Sequence, residues 1–237
     1  MKNVLVFEPN PNHLAVAGKL RGMYPAHTFH LFGDANLALQ GLREKPDALI
    51  TALFAPVAEG EVERLYQETY LSPFKAAFGE IPDDAGEGKA VRALYEGLYG
   101  DRNTVDSTIW RNIFDHQLEF LFGNEVDDER GAHTYYAAKH GYGGALMLIA
   151  EQMGIPSLLF TEAHRFSLEE NFKRPAHGTF FLLPLMIRGI FTPQQVRDYG
   201  GDQGPRLISS AGYCKPGKDD PETWKLAMEK ILLQAGQ

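Results

Sequence analysis

Two acids and a histidine follow apolar runs of the kind that form buried strands. Glu8 comes directly after "NVLVF" (3–7), and Glu162 and His164 come directly after "PSLLFT" (156–161). A carboxylate and an imidazole brought to one strand edge can pass protons or hold a metal weakly. No HExxH-type spacing accompanies them, and ordinary loop polarity is the simpler reading. Asp115 and Glu119 stand one helical turn apart beside His116, so the acids share a face. They lie opposite a Trp110/Phe114/Leu118 stripe, which makes them a solvated face before it makes them ligands. The acids at 127–129 read as loop charge. Seven of the ten tyrosines fall between 66 and 142: Tyr66, Tyr70, Tyr95, Tyr99, Tyr135, Tyr136 and Tyr142. Tyrosine joins a large apolar body to a polar tip, which suits either a binding surface or packing of this region onto a sheet edge. "YGGALMLIA" has neither the Lys-Ser/Thr of a phosphate-binding P-loop nor GxGxxG, and no GxSxG occurs.

The bulk properties narrow the classes. The chain has 237 residues, 44% of them hydrophobic, enough for a substantial core. A net charge of -8 without any Lys/Arg run argues against nucleic acid as a partner. The one cysteine, Cys214, allows no internal disulfide and fits a reducing compartment. "VLVF" is too short for a secretory core, and "FFLLPLMI" is too short to span a bilayer. The expectation is a soluble, cytoplasmic protein without a membrane partner.

The elements that would position these residues follow from periodicity. "NVLVF" is a continuous apolar run ended by a Pro/Asn cluster, as expected of a buried parallel strand. Leu14, Ala17, Leu20 and Met23 then repeat at helical spacing. "HTFHLF" (27–32) reads as a strand, and "DANLALQGLRE" (34–44) as a helix capped by Asp34. "DALITALF" (47–54) reads as a third strand. This β-α-β-α-β order implies a parallel sheet. The pattern then breaks. Pro56 to Ile155 spans about 100 residues, where a β-α-β unit needs about 30. Helices are expected near 60–70, over 88–99 and over 107–122. Order returns with a helix over 143–153 stopped by Gly154, a strand over 156–161, a strand within 206–214, and a last helix capped by Asp220 with Pro221 in its first turn. The fold class read from this is α/β: one domain over 1–237, a doubly wound five-stranded parallel sheet, a helical insertion over 70–140 after strand 3, and a long excursion after strand 4. Both excursions leave from carboxyl ends of strands, where open α/β sheets bind ligands.

Four stretches in this order resemble the receiver domains of two-component signalling, over about 1–70 and 141–235. "VLVFEPNPN" resembles their first strand and acidic turn. "ANLALQGLREKPDALITALFAP" resembles the second helix and third strand. "GIPSLLFTEAH" resembles the fourth strand with its switch threonine, here Thr161. "GYCKPGKDDPETWKLAMEKIL" resembles the Lys-Pro turn, here Lys215 and Pro216, and the final helix. The resemblance implies a flavodoxin/CheY-like fold.

The departures are chemical. The family places two acids after strand one to help hold magnesium; the matching positions are Glu8 and Pro9. Its phosphoacceptor aspartate falls on Ala52, whose methyl accepts neither phosphoryl group nor metal. Magnesium asks for near-octahedral oxygen ligands, and phosphoryl transfer relies on it to neutralise charge. The sequence therefore predicts a non-catalytic pseudo-receiver, unphosphorylated on aspartate, with no metal and no cofactor. It would act through an unknown protein partner, a homodimer or a bound ligand. Candidate ligand-binding residues are Glu8, Asn10, Thr161, Glu162, His164 and Lys215, with no catalytic residue assigned. The alternative from another class is a capped α/β enzyme or binding protein for a small anionic ligand at the carboxyl strand edge.

Overall fold

The computed structural model describes residues 1–72, 139–161, 207–209 and 217–235. Strand β1 (Asn3–Phe7) is the centre from which the sheet grows. It pairs in parallel with β2 (Thr28–Phe32) on one side and with β3 (Ala48–Thr51) on the other. Strand β3 pairs in parallel with a further strand, Ser157–Thr161. The three-residue segment Leu207–Ser209 runs parallel to that strand, with Ser209 level with Thr161. All four residues of β3 are buried, as a strand covered on both faces requires.

Alternation along β1 sorts the core into two layers. Leu5 and Phe7 point to the side of helix α3 (Ala35–Arg43), and pack with Leu39, Leu42 and Leu49. Val4 and Val6 point to the other side, where α1 (Pro11–Ala17) and α2 (Leu20–Met23) contribute Ala17 and Leu20. Period-two placement of apolar residues thus gives one strand two separate cores. Helices cover both faces of a parallel sheet, which makes the molecule an α/β protein. The expected first helix is two short ones, and Met23 is exposed rather than part of the core.

After β3 comes a two-residue strand, β4 (Ala55–Pro56), then α4 (Glu61–Leu65). The helix expected near 60–70 changes character in its second half: Tyr66–Leu71 is π-helical. Within it the Thr69 hydroxyl donates to the Leu65 carbonyl at 2.5 Å, a side-chain bond that competes with the regular ladder. Strand β5 (Lys139–His140) pairs antiparallel with β4, and α5 (Tyr142–Gln152) follows. Gly154, at φ 70°, turns the chain out of α5 in the left-handed conformation that glycine tolerates best. It leads to β6, the strand Ser157–Thr161 already introduced; Leu207–Ser209 is β7. Helix α6 (Pro221–Ala235) closes the described chain. Its buried face carries Trp224, Ala227, Met228 and Ile231. No helix among the described residues is long and apolar enough to cross a membrane.

The helices expected over 88–99 and 107–122, with Asp115, His116 and Glu119, lie outside the described residues, as does the loop at 127–129.

Candidate functional site

The chain leaves β1 for β2 on one side and later returns to β3 on the other. The carboxyl ends of β1 and β3 therefore flank the point where the winding reverses, the usual ligand crevice of such sheets. Glu8 follows β1 there, and Ala52 follows β3.

Glu8 is 3% exposed, and its backbone N–H still bonds the Phe32 carbonyl, so its position is fixed by the sheet. Its Oε1 accepts the Asn10 backbone N–H at 3.0 Å and lies 3.8 Å from His13 Nδ1. Its Oε2 accepts a short hydrogen bond from the Lys218 ammonium, which is also buried. Lys218 Nζ stands 4.7 Å from the Phe160 ring centre and 5.7 Å from that of Trp224. Ring faces are electron-rich, so they favour a cation already neutralised by a carboxylate. The Trp224 indole N–H holds the Lys218 carbonyl at 2.8 Å. Across the same crevice His13 Nε2 lies 3.4 Å from Asp219 Oδ1. One network thus joins the turn after β1 to the turn before α6.

Ala52 is buried, and its N–H donates to the Phe7 carbonyl at 2.8 Å. The first turn of α5 lies directly on it. Gly143 N–H donates to the Leu53 carbonyl at 3.1 Å, and a Cβ on Gly143 would come 1.5 Å from the Ala52 oxygen. Thr51 Oγ1 donates to that same oxygen at 3.0 Å. Strand β3 therefore ends in a closed, polar-satisfied contact.

The candidate residues read from the sequence separate into groups. Glu8 and Asn10 are brought together, but the Asn10 side chain caps α1, accepting the Asn12 N–H at 3.0 Å. Thr161 is the last residue of β6. Glu162, His164 and Lys215 lie outside the described residues, as do Pro216 and Cys214. The ammonium that reaches Glu8 belongs to Lys218, which the sequence reading passed over in favour of Lys215. His13 and Asp219 were also passed over. The available signal was modest: a lysine two residues before the capping Asp220, in a turn that must return to the sheet edge.

A second buried cluster sits beside the β4–β5 ribbon. The Tyr66 ring stacks between Tyr70 and His140, with centres 5.3 and 5.2 Å away, and meets Tyr142 edge-on at 5.2 Å. Tyr142 Oη accepts the Ala58 N–H at 2.9 Å and donates to Glu63 Oε2 at 2.5 Å. Glu63 Oε1 takes the Gln67 amide at 2.8 Å, and His140 Nε2 lies 3.6 Å from Oε2. Burial pushes the phenols of Tyr66, Tyr70 and Tyr142 above the usual value of 10.0. For Tyr66 and Tyr142 the Glu63 carboxylate adds to the rise. These three tyrosines are core, so their side chains present no binding surface. Among the described residues no group of three or more His, Cys, Asp or Glu side chains is arranged to hold a metal ion.

Comparison of the chain with family models, with curated proteins and with solved structures gives no match.

Proposed function

We propose that the protein is a non-catalytic pseudo-receiver that works in regulation through protein–protein interaction or ligand binding rather than through aspartyl phosphorylation. The fold that goes with this reading is a doubly wound five-stranded sheet of flavodoxin/CheY type, with a helical insertion over 70–140 and a long excursion after β6. One observation carries it. At the crevice between β1 and β3, the carboxylate Glu8 is paired from within the chain by Lys218, and the opposite position is a buried alanine, Ala52, with Gly143 packed on its backbone carbonyl. A divalent cation binding Glu8 there would have to displace a buried ammonium. Magnesium binding usually takes several oxygen ligands.

The test is incubation of the full chain with acetyl phosphate and magnesium, followed by intact mass and peptide mapping. The expected outcome is no phosphoryl adduct on any acid near Ala52. A stable aspartyl or glutamyl phosphate there would overturn the proposal.

A further inference from the structure

We infer that Glu8, Phe160 and Trp224 form a binding cage for a primary ammonium group, filled in this chain by its own Lys218. All four residues are buried. The Phe160 and Trp224 rings meet edge to face, at 83° with centres 4.7 Å apart, and so make a corner. The Lys218 nitrogen sits in that corner, 4.7 Å from one ring centre and 5.7 Å from the other. Both lie inside the reach of cation–π attraction, which strengthens away from water. Glu8 Oε2 closes the corner by accepting a short hydrogen bond from the same nitrogen. These groups select their occupant by chemistry. The carboxylate favours a positive charge that carries an N–H donor, and the rings favour a compact cation. A hydroxyl brings the donor without the charge, and a potassium ion brings the charge without the donor. The walls are held independently of the side chain between them. Glu8 is fixed by its N–H on the Phe32 carbonyl and by the Asn10 N–H on Oε1. Phe160 stands within β6. The Trp224 indole donates to the backbone carbonyl at position 218, which any residue there supplies. The cage rests on this geometry alone and holds whether or not the pseudo-receiver reading does.

Lys218→Ala in the full chain, supplied with n-propylammonium, tests the cage. The added ion reproduces Cγ, Cδ, Cε and Nζ of the lost side chain. The urea midpoint, followed by circular dichroism, should fall in K218A and rise again with propylammonium. A ligand that binds only the folded state stabilises it with the logarithm of its concentration once above its Kd, so each further tenfold of the ion should add a constant step. The parent protein, whose cage is full, should show no such rise. Neither 1-propanol nor potassium ion at matched ionic strength should restore K218A. The double variant E8Q/K218A should respond alike to propylammonium and propanol, because the carboxylate supplies the preference for charge. Nuclear Overhauser contacts should run from the methylenes of the bound ion to the Phe160 and Trp224 rings. If K218A does not fold alone, folding on addition of propylammonium replaces the midpoint as the readout, with propanol as its control. Equal recovery by propanol would overturn the cage. So would a K218A chain that gains neither stability nor fold from propylammonium.

Discussion

At the scale of single residues, the polar groups that matter are those that have left water. The Glu8–Lys218 pair is buried, and removing one partner of a buried ion pair typically costs about 3–5 kcal/mol. Both ends of the pair have further support: the second Glu8 oxygen takes the Asn10 N–H, and the ammonium faces two rings. Tyr142 follows the same rule with a neutral group. Its hydroxyl accepts from the Ala58 N–H and donates to Glu63, tying α5 to the segment between β4 and α4. Tyr142→Phe keeps the ring packing against Tyr66 and His140 but deprives the Ala58 N–H and the Glu63 carboxylate of a partner. The expected cost is about 1–3 kcal/mol, measured as a lower urea midpoint at unchanged m-value. A midpoint equal to that of the parent protein would mean that water replaces the hydroxyl there.

At the scale of elements, α5 and β3 meet with almost no space between them. Gly143→Ala should improve helix propensity by up to ~1 kcal/mol and still destabilise the protein. The added Cβ would lie 1.5 Å from the Ala52 oxygen and 2.6 Å from its carbonyl carbon, so backbone must move against backbone. A net loss of about 2 kcal/mol or more is expected in denaturant titrations. Gly144→Ala meets the Tyr70 hydroxyl at 2.5 Å, a side chain rather than backbone, and should lose less. An equal loss in the two variants would show that α5 can slide off β3.

The elements most legible in the sequence were those with local signals. Asp34 accepts the Leu37 N–H at 2.9 Å and caps α3, and Asp220 accepts the Glu222 N–H at 2.8 Å ahead of Pro221. Continuous apolar runs gave β1 and β3, because a strand buried on both faces shows no alternation. The π-helical stretch was not legible, since widening the ladder by one residue leaves Val62, Tyr66 and Tyr70 on the buried side. The ribbon of β4 and β5 is two residues long on each side and has no periodicity to read. Lys218 was not legible as the partner of Glu8, because nothing within "KPGK" says that its last ammonium turns inward. That choice depends on a contact with the far end of the chain.

At the scale of the whole molecule, the buried phenols set how the fold responds to alkali. Tyr66 and Tyr70 are essentially without solvent contact, and burial raises both above the usual 10.0. The folded state therefore holds protons that the unfolded chain gives up at about pH 10. Stability from this source is complete below that pH and is lost as the pH rises above it, because the unfolded state binds fewer protons. Each such phenol contributes a slope of about 1.4 kcal/mol per pH unit, so two give about 3 kcal/mol per unit above pH 10. A domain with ordinary marginal stability then unfolds within a few pH units of that point. Tyrosinate absorbance and circular dichroism followed together through an alkaline titration should show Tyr66 and Tyr70 ionising only in the step that coincides with unfolding. Tyr66→Phe removes one of the late protons and should make the stability–pH slope shallower by about one third to one half. If all ten tyrosines ionised together near pH 10 with circular dichroism unchanged, the aromatic cluster would be open to water and could not be the anchor that holds α4, β5 and α5 against the sheet.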